Sequence, residues 1–274
     1  MSETSEKEKV KVSVIITTYN RAGHLNRGLY TLLNQDYKPD EVIIVDDGSQ
    51  DYTADLVKTF QSEYPNHNIR YIYNNNPGYT NCCLAKNIGI KQAKGELIIF
   101  TEPEVLHIGN TIKQHVDWHE KELKLFVSAG TVYFVFAGII RILSLEHFRN
   151  PELITKIKEV VEWREGYIPQ YEDIAVSRRV SACYCASVRK EWLMAIGGFD
   201  ERFLPHWGWD DIDLQSRLSR FGVRCIPDES IKVVHLAHGY TGCLEKWNYN
   251  KTLHEDPNKP IIANKGKEWG VIRT

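Results

Sequence analysis

The sequence predicts an α/β fold with a mostly parallel central sheet and helices on both faces. Three observations lead there. Short runs rich in Val, Ile and Thr recur through the first half of the chain. Segments with apolar residues at helical spacing separate them. The breaks between the two carry Asn, Asp, Gly and Pro, which end strands and helices. Strand–helix alternation of this kind gives parallel strands buried on both sides.

The elements follow in order. Val12-Ser-Val-Ile-Ile-Thr-Thr-Tyr19 reads as a buried strand. Asn20 and Gly23 break it, and Leu25, Leu29, Leu32 and Leu33 mark a helix that ends before Pro39. Glu41 to Asp46 is the second strand, and Asp47-Gly48-Ser49 turns into a helix carrying Leu56, Val57 and Phe60. Ile69 to Tyr73 is a third strand, Asn81 to Ala93 a third helix, and Glu96 to Phe100 a fourth strand. Thr111 to Lys121 is helical, with His115 and His119 on one face. A zinc-protease helix has glutamate after its first histidine; Val116 stands there, so packing histidines are expected.

Val127 to Ile142 is apolar and expected to cross back under the first sheet. Leu153, Ile157, Val160 and Val161 suggest an inserted helix within residues 144–181, followed by a loop over Gly166 to Tyr171 that can serve as a lid. Cys183 to Ser187 alternates like a strand, with Cys183 and Cys185 facing one way. Arg189 to Ile196 is a short helix stopped by Gly197-Gly198. Val223 to Ile226 and Ile231 to Leu236 are two further strands. The expected organisation is a loose tail over 1–11, one domain over 12–254 with halves 12–104 and 105–254, and a polar tail over 255–274. That last tail is either loose or folds over a bound ligand.

Composition narrows the function. The chain has 274 residues, 42% hydrophobic and 26% charged, enough to bury a sizeable core. A net charge of -2 offers no global basic surface for nucleic acid. The longest apolar run, Val132 to Ile140, stops at Arg141, short of the roughly 20 residues of a bilayer span, so no transmembrane segment is expected. Six cysteines without a Cys-x-x-Cys pair point to reduced thiols and a cytoplasmic protein, with a peripheral place at a membrane left open.

Ligands of such sheets bind at the carboxyl ends of the strands. There the chain places Thr17, Thr18 and Tyr19, then Asp46 and Asp47, then Glu102 and Glu104, with Lys86 nearby. No Gly-rich dinucleotide loop or P-loop follows the first strand. With few cations in reach, these acids would meet a phosphate through a divalent metal. The second concentration of chemistry is His206 to Asp213, which holds Trp207, Gly208, Trp209, Asp210, Asp211 and Asp213 at the start of a helix. Acids there can cap the helix, and Asp213 can pair with Arg217. Two indoles beside a cap are harder to explain. Indole faces next to carboxylates suit a sugar, with a flat apolar wall and acceptors for hydroxyls.

Val14-Ile-Ile-Thr-Thr-Tyr-Asn20 followed by Val45-Asp-Asp-Gly-Ser49 resembles the opening of family-2 glycosyltransferases of the GT-A fold. The resemblance continues through Leu84-Ala-Lys-Asn-Ile-Gly89, Gly95-Glu-Leu-Ile-Ile-Phe100 and Gly197-Gly-Phe-Asp-Glu201. Trp207-Gly-Trp-Asp-Asp211 is similar to an element of galactosyl- and N-acetylgalactosaminyltransferase relatives. The resemblance implies that Thr17 and Tyr19 border a nucleotide base, that Asp47 accepts the uracil N3–H, and that Lys86 lies near the nucleotide. It places the catalytic base at Asp211, with Trp207, Trp209 and Asp210 around an acceptor sugar. The family's Asp-x-Asp metal motif is replaced by Glu102-Pro103-Glu104, and Pro103 fixes a backbone angle between the two acids. Mn2+ or Mg2+ on Glu104, Glu102 and His235 is the implied metal set, with His238 following close behind; a satisfied core histidine or a pair of solvated loop acids would account for the same residues.

The activity that the resemblance implies is transfer of a sugar from a nucleotide-diphosphate donor, UDP-linked for preference, to a carbohydrate or glycoconjugate acceptor, with inversion. A non-catalytic sugar- or nucleotide-binding protein and a nucleotidyltransferase are the rival classes. The second would want a Gly-rich basic loop after strand one, of which Asn20-Arg21-Ala22-Gly23 is a poor version.

Overall fold

The computed structural model describes residues 9–76, 81–135, 174–178, 183–203, 208–236, 238 and 243–274, with backbone only for 174–178. The first half is β1 (Val12–Thr18), α1 (Ala22–Leu33), β2 (Glu41–Asp46), α2 (Thr53–Glu63), β3 (Ile69–Tyr73), α3 (Cys82–Gln92) and β4 (Leu97–Thr101). Then come β5 (Val105–His107), α4 (Thr111–Lys121), β6 (Leu125–Val135), β7 (Ile174–Arg178), β8 (Cys185–Arg189), α5 (Lys190–Ala195), α6 (Asp210–Arg220), β9 (Arg224–Leu236) and α7 (Leu244–Glu255).

One sheet runs β3-β2-β1-β4-β8-β6-β9-β5, with β7 paired to β6. The β3-β2-β1-β4 half is parallel throughout, as the alternation predicted. In the other half β8 runs antiparallel to β4 and β6, while β6 and β9 are parallel. Side chains alternate across the sheet and build two cores. Val14 and Ile16 join Leu25, Leu29 and Phe60 on one face. Ile15 and Ile43 join Ile88, Phe199, Leu214 and Leu218 on the other. α3 lies close on that second face because Gly89 has no side chain; a Cβ there would meet Ile15 Cγ2 at 2.5 Å.

Several expectations change. The apolar run from Val127 does not pass under the sheet. It is β6, an inner strand between β8 and β9, where both edges of its backbone find partners. The two short strands expected near the end join into β9, whose register against β6 shifts between Ala129 and Thr131. Cys183 and Cys185 do not share a face, because β8 begins only at Cys185; Cys183 belongs to the α3 side and Cys185 to the α1 side. The expected helix around Leu153 to Val161 and the loop over 166–171 lie outside the described residues. His115 and His119 are buried and share the Ser187 hydroxyl, each at 2.9 Å, so they pack as expected.

The segment after α7 is packed on the body. Ala263 N–H donates to Ile196 O at 2.8 Å, and the Asn264 amide donates to Gly197 O and Phe199 O at 2.8 and 2.7 Å. Lys259 is buried against Asp200 and Asp213. Asp213 also pairs with Arg217 at 2.8 Å, both fully buried, and Arg217 donates to Gly198 O. The expected i,i+4 pair is thus present, and it is an internal clamp joining α6 to the Gly197-Gly198 turn.

Candidate active site

The carboxyl ends of β1, β2 and β4 lie side by side, as their parallel pairing requires. Thr17 and Tyr19 are half-buried at the end of β1. Thr18 is buried, and its Oγ1 has no partner among the described residues. At the end of β2, Asp46 accepts from Ser49 N and Tyr71 OH at 2.8 and 2.6 Å. Asp47 is buried and accepts from the Asn74 amide at 2.7 Å, from the Asn76 amide at 3.0 Å, and from Asn81 N–H. Its position depends on Gly48, which has φ +96 and would carry a Cβ into Asn76 O at 2.6 Å.

Glu102 and Glu104 follow β4. The antiparallel register of β5 on β9 sets Val105 opposite His235, and Leu236 N–H donates to Glu104 O at 2.9 Å. That register delivers two imidazoles to the acids. Glu104 Oε1 lies 2.9 Å from His238 Nε2, and His235 Nε2 lies 3.9 Å from Glu102 Oε2. Ligand atoms of Glu104, His235 and His238 all fall within 4.8 Å of one another. Burial works against ionising Glu104, yet the His238 hydrogen bond and the neighbouring positive charges hold its carboxyl down at about 2. Glu102 is pushed up to about 8, first by loss of water and then by the Glu104 charge. Burial holds His235 at about 4, so its imidazole is neutral at pH 7. An ionised carboxylate, two imidazoles and a second carboxyl alongside suit a divalent ion such as Mn2+; pure oxygen sets favour Mg2+. His238 joins His235 here, although the sequence put only His235 forward. Their three-residue spacing was the available signal.

The acids of α6 do not cap their helix. The N-cap position is Trp209, in a left-handed conformation at φ 75, and it makes no side-chain cap. Asp210 and Asp211 turn instead to Lys86 of α3. Lys86 Nζ lies 3.1 Å from Asp210 Oδ2 and 2.9 Å from Asp211 Oδ1, with all three groups largely out of water. Asp211 Oδ2 also accepts from Cys183 N–H at 3.1 Å. Burial raises the carboxyl of Asp210, whereas Asp211 stays below its ordinary range: burial opposes ionisation there, but Lys86 and Cys183 N–H outweigh it. The two acidic groups are joined through residues 183 and 184: Cys183 N–H donates to Asp211, and the Tyr184 ring lies 5.0 Å from His235.

Trp209 is stacked on His254 at 5.3 Å and meets Trp247 edge-on at 5.3 Å. The indole expected to wall a sugar is therefore engaged with α7 on at least one face. Trp207 lies outside the described residues. The structure adds Tyr184, which sequence reasoning missed. Its ring is 5.0 Å from His235, and burial, then the charges of Glu102, Asp211 and Glu104, push its hydroxyl up. Nothing in its local sequence marks it.

The model of the family described as "Glycosyl transferase family 2" matches residues 13–196. The chain belongs to glycosyl transferase family 2. Among curated relatives it is 24% identical over 233 residues to a chondroitin synthase of Pasteurella multocida (strain Pm70), covering 77% of this chain and 23% of that protein. It is 28% identical over 235 residues to a validoxylamine A glucosyltransferase of Streptomyces hygroscopicus subsp. limoneus, covering 77% and 48%. The chain thus spans about a quarter of the synthase and about half of the glucosyltransferase.

Among solved structures, a mannosyltransferase from Pyrobaculum calidifontis in complex with GDP-Man and Mn2+ superposes with a TM-score of 0.55 at 21% identity, over 90% of this chain and 62% of that one. GalNAc-T7 with UDP, GalNAc and Mn2+ gives a TM-score of 0.63 at 12% identity, over 90% and 48%. These neighbours establish the GT-A-like fold. No helix among the described residues is long and apolar enough to cross a membrane.

Proposed function

We propose that this family-2 glycosyltransferase moves a sugar from a UDP-linked donor to an acceptor hydroxyl, with inversion at the anomeric carbon. The observation that carries the reading is that one short segment joins two acidic pairs, Glu102/Glu104 and Asp210/Asp211: Cys183 N–H donates to Asp211, and the ring of the next residue, Tyr184, packs on His235 beside the two glutamates. One pair stands with two histidines and the other with a buried lysine. Such a division suits a reaction in which a diphosphate leaves at one end and a hydroxyl loses its proton at the other.

In this reading Thr17, Tyr19 and Asp47 hold the nucleoside, with Asp47 accepting the N3–H of uracil. Glu104, His235 and His238, with Glu102 beside them, hold Mn2+. The ion, when bound, neutralises charge on the departing diphosphate. Asp211 stays ionised at neutral pH and takes the proton of the attacking hydroxyl. Lys86 keeps Asp211 oriented and compensates the two neighbouring charges. Asp210, Trp207 and Trp209 form the acceptor side. One displacement needs no enzyme nucleophile and gives the inverted product.

Incubation with a panel of UDP- and GDP-sugars and Mn2+, with and without carbohydrate acceptors, tests this. Acceptor-dependent release of UDP supports it. Pyrophosphate formation from a sugar phosphate and a triphosphate points to nucleotidyl transfer, and binding without turnover to a sugar- or nucleotide-binding protein.

A further inference from the structure

We propose that Arg273 is a positioning residue for the nucleotide base: its guanidinium acts on Asp47 through Asn76, while its backbone N–H holds Asn74. The inference rests on the reading of Asp47 as the acceptor for the base.

Asp47 cannot orient itself. A carboxylate on a turn at the end of a strand has free rotamers unless donors fix it. Among the described residues its donors include the side-chain amides of Asn74 and Asn76, which follow β3, and the backbone of Asn81. A donor on the oxygen of an amide fixes which way round the group sits and so where its N–H groups point. Both oxygens are held by one residue far along the chain. Arg273 N–H donates to Asn74 Oδ1 at 2.7 Å, and Arg273 Nη1 donates to Asn76 Oδ1 at 2.9 Å. Arg273 O accepts from Asn75 N–H at 2.9 Å, which closes the contact on the intervening residue. The guanidinium of Arg273 therefore fixes which way round the Asn76 amide sits, the backbone of the same residue does so for Asn74, and the two amides hold the carboxylate.

The segment that carries Arg273 is itself anchored. The Asn264 amide is bound to Gly197 O and Phe199 O. Gly270 N–H donates to Glu201 Oε1 at 2.8 Å, and Lys91 lies 4.0 Å over the Trp269 ring. Gly270 has φ +65, and a Cβ on it would meet Asn87 O at 2.7 Å, so the backbone passes directly over α3. A cavity of about 290 Å³ lies between this strap and α3, lined by Asn81, Leu84, Glu201, Glu268, Val271 and Arg273. The strap thus forms a wall next to the groups that hold Asp47, in place of a loose tail.

The test is a double-mutant cycle on UDP affinity, measured by calorimetry with Mn2+ present, with melting temperature recorded for every variant. Arg273→Ala removes the guanidinium bond to Asn76 and keeps the backbone bonds to Asn74 and Asn75; it should weaken UDP binding by up to about tenfold, and Arg273→Lys should recover part of that loss. Adding Arg273→Ala to Asp47→Ala should cost nothing further, because Arg273 acts through the carboxylate that is gone. A packing role alone would lower the melting temperature alike in both backgrounds and leave UDP affinity unmoved. If Asp47→Ala weakens binding while Arg273→Ala does not, the inference fails and the base assignment stands. A full additional loss on top of Asp47→Ala also overturns it, since Arg273 would then touch the ligand itself. Unchanged UDP binding in Asp47→Ala removes the reading on which the inference rests.

Discussion

Lys86 Nζ and Asp211 Oδ1 stand 2.9 Å apart across 125 positions of sequence, one on α3 and one on α6. The ammonium is buried, and desolvation works against its charge; Asp210 and Asp211 hold it protonated all the same. Removing the cation would leave two adjacent carboxylates without compensation. Breaking a buried pair on one side costs about 3–5 kcal/mol. Lys86→Met should therefore destabilise the protein by that order in urea unfolding, and Lys86→Met combined with Asp210→Asn should regain part of it. A Lys86→Met variant as stable as the native protein would mean that the pair contributes nothing net.

Asp211→Asn keeps the shape and loses the proton acceptor. Transfer should fall by about 10²–10⁴-fold, the usual worth of a positioned base. UDP affinity should barely move. Asp210→Asn should weaken acceptor use, read as a rise in acceptor KM, with a smaller loss of turnover. Rate and affinity measured on both variants check this. An inactive Asp210→Asn beside an active Asp211→Asn would shift the base by one residue.

At the acid–histidine cluster, EDTA should abolish transfer and Mn2+ should restore it. Glu104→Gln and His238→Ala should each weaken Mn2+ binding about 10–100-fold, on the scale of losing a supporting or direct ligand. Full activity in excess chelator would remove the ion from the reaction and leave Lys86 as the nearby cation for the diphosphate.

Among the described residues, four buried histidines lower the stability in acid, His235 and three others. Burial holds His107 at about 4, His115 at about 3 and His119 at about 4. Each folded value lies below the unfolded one of about 6.5, so the unfolded chain binds protons first. Their stability contribution is complete above pH 6.5 and is lost as pH falls towards 4. Between pH 6.5 and 5 each should cost roughly 2 kcal/mol. Glu102 works the other way: its raised value favours the folded state as pH falls from 8 towards the ordinary carboxylate range. Urea unfolding at pH 7 and pH 5 checks the balance. His119→Gln should shrink the difference by about 2 kcal/mol, and an unchanged difference would mean that His119 does not drive it.

The sequence alone determined the strands and helices of the first half, because their signal is local. The alternation of β1 between Ile15 and Ile16 and the leucines of α1 depend only on neighbours a few residues away. It also marked the carboxyl-end acids and the Asp210–Asp211 pair, since their order and spacing lie in short motifs. What those acids face was decided by tertiary structure. Glu104 meets His238 because β5 pairs with β9, a register set by sheet order and invisible in either segment. Asp210 and Asp211 were legible as site acids with helix capping as the alternative, but Lys86 as their partner followed only from α3 and α6 packing on the same face. The residues after Glu255 read as a polar tail, because their binding energy lies in scattered backbone and side-chain hydrogen bonds that leave no periodic pattern. Periodicity records which face of an element is buried; only the folded chain decides against what.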